Sequence, residues 1–193
     1  MSSKSAKKKK FIIETSRALF AEKGYKDVTM KDIVDACGIS RGGLYLYFES
    51  TAQIFTEVMK METQDTDDEM SQAIRDDSSA SDILELFLSA QKKEIMRMDN
   101  DLSVAKYEFY MSHRLPHRDN IMRCTIDEAV DVIADLIDTG IAGGEMICGD
   151  PKAAARNIMF VIEGLKISSR TIDISEKIID EQLSYLLGGI LIS

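Results

Sequence analysis

Apolar residues recur at intervals of three and four along most of the chain, which is the spacing of helices that bury one face. No stretch alternates apolar and polar positions as a half-buried strand would. The first helix is predicted over residues 7–23, with Ile12, Ser16, Leu19 and Phe20 inward and Gly24 ending it as a glycine just past a helix terminus does. Thr29 followed by Asp32 forms a capping box, with Asp in place of the usual Glu, that opens a short helix carrying Ile33 and Val34 to Cys37. Gly38 turns the chain, and Ser40 is suited to cap a third helix at Arg41, where Leu44 and Phe48 make an i,i+4 apolar edge. Two short helices about a glycine-containing turn, braced by a longer first helix, form a helix-turn-helix unit.

Beyond it the pattern is helical throughout. A helix over residues 51–74 carries Ile54, Phe55, Val58, Met59 and Met61, and the stretch RDDSSASD makes a polar loop. Ser81 or Asp82 caps the next helix, with Ile83, Leu84, Phe87 and Leu88; another spans 102–112. After Pro116, residues 121–138 keep Met122, Ile126, Ala129, Ile133 and Leu136 on one side and Asp127, Glu128, Asp131, Asp135 and Asp138 on the other. GIAGGEMICGD is read as a loop, Asp150-Pro151 as the start of a penultimate helix and Ser175 as the start of the last. The expected fold class is all-α, divided into a helix-turn-helix domain over residues 1–50 and a larger helical domain over 51–193.

Composition agrees with a helical globular chain: 193 residues, 45% hydrophobic, only two prolines. The net charge of −9 hides a division that changes the picture. Residues 1–48 hold ten Lys and Arg against five Asp and Glu, a balance of +5, while residues 49–193 hold 14 against 28, a balance of −14. A basic head on an acidic body points to nucleic acid as a partner. The basic opening is followed by too short an apolar run for a signal peptide, and no stretch reaches the roughly 18 apolar residues of a membrane span, so a cytoplasmic protein is expected. Cys37, Cys124 and Cys148 are scattered without a C-x-x-C pair, which suggests neither a disulfide framework nor a zinc site.

Gly42-Gly43 raises the sharpest question, because each glycine costs about 1 kcal/mol relative to alanine inside a helix. At the start of a recognition helix, glycine lets the backbone approach DNA closely. Arg41 can offer two hydrogen bonds to guanine O6 and N7, and the hydroxyls of Tyr45 and Tyr47 can reach phosphates. The alternative for an arbitrary pair of glycines is a loop beside half-buried tyrosines. The run Lys7–Lys10 has two readings as well, phosphate neutralisation beside the docked helix or a solvated, frayed terminus.

The whole stretch FIIETSRALFAEKGYKDVTMKDIVDACGISRGGLYLYFES, residues 11–50, resembles the DNA-binding domain of the TetR family of transcriptional regulators. The matching features are the LF-A-E-K-G-Y end of the first helix, Thr29 ahead of D-I-V, the G-I-S turn and the L-Y-x-Y-F close. The resemblance implies a dimeric repressor of a palindromic DNA operator, released by a small-molecule effector bound in the C-terminal domain, with no cofactor and no metal. By position it implies phosphate contacts from Thr29, Tyr45 and Tyr47, base-edge or backbone contacts from Ser40, Arg41, Gly42 and Gly43, and core roles for Leu44 and Phe48. Two positions depart from the family pattern. Glu49-Ser50-Thr51 lacks the lysine many members use on a phosphate, and Val34 stands where alanine is usual.

In the larger domain, Ile158, Val161, Ile162 and Leu165 of the penultimate helix and Ile178, Ile179, Leu183, Leu186, Leu187 and Ile190 of the last offer more apolar surface than one-sided burial requires. The family resemblance implies a homodimer paired through these helices; burial within one subunit is the alternative. Candidate pocket residues are Phe87, Tyr107, Tyr110, Met111, Met122 and Phe160, with eleven methionines in the chain suiting an adaptable apolar site. Glu163, inside an apolar helical stretch, would meet either a cationic ligand or an intramolecular Lys or Arg. An enzyme is not expected: His113 and His117 are spaced as a zinc pair but Pro116 lies between them, and no phosphate loop or nucleophile elbow is present.

Overall fold

The computed structural model describes residues 3–73, 78–97 and 101–192, with the side chains of 3 and 64–73 outside the description. The part of the RDDSSASD loop at 75–77, with Ile74 at the predicted end of the helix before it, therefore lies outside the described residues. Among the described residues the secondary structure is α1 (Ser3–Lys23), α2 (Met30–Cys37), α3 (Arg41–Tyr45), α4 (Thr51–Ala73), α5 (Ala80–Met96), α6 (Ser103–Ser112), a 3-10 turn at His117–Asp119, α7 (Ile121–Gly143), α8 (Pro151–Thr171) and α9 (Glu176–Gly188). An isolated bridge joins Met146 and Leu191. No described helix is long and apolar enough to cross a membrane.

The chain divides into two compact units. The first comprises Met1–Thr66 and Asp99–Ile121, the second Asp67–Met98 and Met122–Ser193. In the first, the inward stripe of α1 (Ile12, Ser16, Phe20) is fully buried with Ile33, Leu44, Phe48, Ile54 and Phe55. Phe55 meets Phe20 edge-on at 4.9 Å between ring centroids, Tyr25 at 5.2 Å and Phe109 of α6 at 5.0 Å. Each such ring removed from water contributes about 1.5–3 kcal/mol, and their offset and edge contacts favour one arrangement over a merely greasy one. Ser16 is tolerated in this core because its hydroxyl donates to Ile12 O at 2.7 Å.

In the second unit, α5, α8 and α9 pack on one another and α7 contributes Val130, Ile133 and Ile137 to a common core with Leu84, Leu88, Ile158, Ile162 and Leu183. Two predicted boundaries move. Ser79, not Ser81 or Asp82, caps α5: its side chain accepts from Asp82 N, and the Asp82 carboxylate answers to Ser79 N in a capping box. Ser81 is instead held by Glu145, which accepts from both its N–H (3.0 Å) and its hydroxyl (2.9 Å). The helix predicted to stop at 138 runs on to Gly143. Gly140 lies inside it because Met146 packs there, so close that an added Cβ would stand 2.5 Å from its sulfur. The C-terminal residues fold back on this turn, with Ile147 N donating to Ile190 O and Ile192 N to Glu145 O.

Candidate nucleic-acid interface

The local signals of the head are built as hydrogen bonds. Thr29 has extended backbone, its Oγ1 accepts from Asp32 N at 3.2 Å, and Asp32 accepts from Thr29 N at 2.9 Å and from the Thr29 hydroxyl. Those bonds from Thr29, with Lys23 nearby, hold the Asp32 carboxyl at about 2. Gly38, at φ 61, ends α2 with its own N–H on Asp35 O and that of Ile39 on Val34 O, both 3.3 Å, a Schellman pair that requires the left-handed conformation. This turn sets the angle at which α3 leaves.

Ser40 caps α3, its Oγ accepting from Gly43 N at 3.1 Å. Leu44 and Phe48 are buried, which turns Tyr45 (43% exposed) and Leu46 (83% exposed) outward. The Arg41 guanidinium lies 5.6 Å from the centroid of the Tyr45 ring, a cation–π placement between two exposed side chains. Neither glycine of the pair has positive φ, so backbone conformation does not explain them. A Cβ on Gly43 would stand 3.1 Å from Ser40 Oγ and 3.8 Å from Lys8 Nζ; one on Gly42 would meet nothing within 4 Å. Gly43 thus clears room for the cap, while the space at Gly42 is outside the chain.

The lysine run is helical, because α1 begins at Ser3, and its members diverge. Lys9 pairs with Glu57 at 2.5 Å and Lys10 with Glu14 at 3.6 Å. Lys8 points across to α3, its Nζ 6.0 Å from the centroid of the half-buried Tyr47 ring. Where the family's lysine is missing, Ser50 accepts from Gln53 N at 3.2 Å and the Gln53 side chain accepts from Glu49 N at 2.7 Å. Ser50 is thereby occupied as the cap of α4. Thr29, Ser40, Arg41, Gly42, Gly43, Tyr45 and Tyr47 all belong to the first unit, with Thr29 and Ser40 used as caps. Sequence reasoning passed over Leu46; the signal was its position midway between Leu44 and Phe48, on the opposite side of the chain.

The pocket candidates are not brought together in this way. Tyr107, Tyr110 and Met111 fall in the first unit, Phe87, Met122, Phe160 and Glu163 in the second. Met111 and Phe160 are 73% and 63% exposed within the one chain, while α6 turns Phe109 inward and α8 turns Ile158, Met159 and Ile162 inward. Phe87 packs partly buried against the second core. Glu163 faces Lys166 at 3.7 Å, and this mostly buried lysine also reaches Glu94 at 3.1 Å, so the intramolecular partner is the one found. His113 stacks on Phe109 at 4.5 Å and its ring nitrogens lie 3.0 Å from Phe109 O and 3.4 Å from the Tyr25 hydroxyl, which ties α6 to the aromatic cluster of the first unit.

Of the apolar residues of the last two helices, Ile158, Ile162, Leu165, Ile179, Leu183, Leu186 and Ile190 are all buried within the one chain. What remains outside is Phe160, Ile178 (43% exposed) and Tyr185 (81% exposed), with Tyr185 beside an open depression along α9 that includes Glu181, Ser184 and Gly188.

Comparison with known proteins matches both parts of the chain. Residues 12–58 match the family "Bacterial regulatory proteins, tetR family" and residues 83–180 match "Tetracyclin repressor-like, C-terminal domain". The HTH-type transcriptional regulator YfiR of Bacillus subtilis is 45% identical over 49 residues, 25% of this chain and 24% of that protein. The chain's match thus spans about a quarter of that relative's length. The fatty acid metabolism regulator protein of Bacillus subtilis is 23% identical over 149 residues, 77% of this chain and 76% of its own. Among solved structures, a transcriptional regulator from Saccharomonospora viridis in complex with choline superposes with a TM-score of 0.84 at 20% identity, covering 97% of this chain and all of that one. FadR from Bacillus subtilis in complex with stearoyl-CoA gives 0.74 at 21% identity, over 93% and 97%. These relatives are transcriptional regulators, not enzymes, and with family matches in both its parts the chain belongs to the TetR family.

Proposed function

We propose that the chain acts in the cytoplasm as a homodimeric repressor that binds a palindromic DNA operator and is released by a small molecule bound in its C-terminal part. The observation that carries this reading is Gly42. It lies in a helix, no internal contact needs its bareness, and close approach of a partner from outside accounts for it. Arg41 beside it supplies the fork that reads guanine, Tyr45 and Tyr47 supply hydroxyls for phosphates, and Leu46 offers an apolar tip for a thymine methyl. Thr29 lies at the start of α2, where a phosphate contact is proposed.

Dimerisation follows from the recognition geometry and from the outer faces of α8 and α9. Two heads reading two half-sites must be held about one helical turn of DNA apart, about 34 Å. Phe160 and Tyr185 are large, exposed and situated on the helices proposed to pair; a two-fold axis brings the same residues of both copies together. The effector's proposed surroundings are the helices of the second unit that carry Phe87, Met122 and Glu163. Structural relatives hold ligands as different as choline and stearoyl-CoA, so fold alone selects no chemical class.

The test is selection from random duplex DNA followed by a salt titration. An enriched inverted repeat with steep salt dependence supports the dimeric reader. Tight binding to a single half-site by a monomer would overturn the dimer, and no enrichment at any salt would overturn the operator.

A further inference from the structure

The four consecutive lysines of α1 are not equivalent, and we infer that Lys8, acting with Tyr47, grips a DNA phosphate next to the recognition helix, whereas Lys9 and Lys10 serve the fold of the head. The inference rests on the reading of the head as a DNA binder and adds to that interface a residue outside the helix-turn-helix.

Helical spacing separates the lysines. Lys8 precedes the fully buried Ile12 by one turn and is itself exposed, on the same row of α1 as that core residue. There its Nζ comes 6.0 Å from the Tyr47 ring centroid and within 3.8 Å of where a Gly43 Cβ would be. Lys9 leaves on a neighbouring face and is taken up by Glu57, which also accepts from Lys60 at 3.0 Å. Those two cations hold the Glu57 carboxyl below the usual carboxylate range. Lys10 lies opposite Glu14 one turn on. Only Lys8 of these three is directed at the surface formed by Arg41, Gly42, Gly43 and Tyr47.

The arrangement suits a phosphate in two respects. An ammonium held over an aromatic face keeps its hydrogens available on the other side, so Lys8 is positioned without being neutralised. The Tyr47 phenol is a second, uncharged donor in the same place, and Gly43 leaves the approach between them clear. A phosphate contact of this kind sets register without reading sequence, and its loss weakens all sequences alike.

The experiment measures binding of the full chain to its selected duplex and to a random-sequence duplex over a salt series, for the wild type, Lys8→Ala, Lys10→Ala and Tyr47→Phe. Each phosphate released lowers the slope of log K against log salt by about 0.9. Lys8→Ala is expected to flatten the slope by about that amount per bound protomer and to weaken both duplexes by the same factor. Lys10→Ala leaves the slope unchanged, and Tyr47→Phe weakens binding at unchanged slope. A Lys8→Ala slope equal to wild type, or an equal flattening by Lys10→Ala, overturns the assignment while leaving DNA binding intact. A wild type without salt-dependent binding to either duplex overturns both.

Discussion

Glu108 and Tyr25 lie 83 residues apart in the chain, and the Glu108 carboxylate accepts the Tyr25 N–H at 2.7 Å. The same oxygen accepts Lys26 N at 3.1 Å, so one side chain of α6 satisfies two backbone donors freed where α1 ends at Gly24. Gly24 stands at φ 79, and a Cβ there would come within 2.7 Å of that oxygen. Glu108→Ala is expected to destabilise the chain by about 1–2 kcal/mol, as loss of charge-assisted bonds at a partly exposed site does. Gly24→Ala adds strain of about 1–2 kcal/mol from the left-handed backbone. Urea unfolding of the two single variants and the double tests the contact: the pair should cost less together than the sum, because removing Glu108 removes the clash. Strict additivity would show that the two positions do not touch in solution.

Gly42→Ala separates stability from function. Helix propensity predicts a gain of up to about 1 kcal/mol, since a Cβ there meets nothing in the chain. DNA affinity should fall at the same time. A thermal melt and a binding titration on one preparation decide it; an alanine variant that binds DNA as tightly as wild type would refute close docking at this position.

The capping box of α2 carries a pH dependence. The folded Asp32 carboxyl lies at about 2, below its ordinary 3.8. A depressed carboxylate favours the folded state at pH above the ordinary value and loses that contribution as the pH falls toward 2. The stability difference between wild type and Asp32→Asn should therefore be constant near neutrality and shrink between about pH 4 and pH 2. Thr29→Ala, which removes the cap itself, should cost about 1 kcal/mol near neutral pH. Melting midpoints against pH provide the check, and parallel curves down to pH 2 would contradict the assignment.

Charge placed on the outer side of the last two helices should split the proposed dimer. Phe160→Glu and Tyr185→Glu alter side chains that are largely exposed within one chain, so folding should survive. Sedimentation velocity is expected to show monomers for both variants at concentrations where the wild type is dimeric. A wild type that sediments as a monomer would overturn the dimer, and variants that remain dimeric would place its interface elsewhere.

The head was legible because its signals are local. Thr29 and Asp32, Asp35 and Gly38, and Ser40 and Gly43 bond across three residues, so residue type and spacing suffice to name them. The body was less legible for an equally specific reason. Ser79, Ser81 and Asp82 all suit a cap, and Glu145, 64 residues on from Ser81, settles which serine does what. Gly140 reads as a helix end and is instead a seat for Met146. Phe160 and Phe87 are both aromatics on apolar helices, yet one is exposed and the other packs against the core, because helix rotation is set by neighbours that periodicity alone does not name.

Because Glu108, Phe109 and His113 close over Tyr25 and Phe55, the head is not modular in the way a tag or a cassette is. The chain leaves the first unit after Thr66, re-enters it at Asp99 and leaves again after Ile121. A chimera that grafts residues 1–66 onto a foreign body would arrive with an uncovered aromatic cluster and two orphaned amides. A transplant that is to keep its fold has to bring α6 along or supply a host helix with a carboxylate and an aromatic at the matching positions.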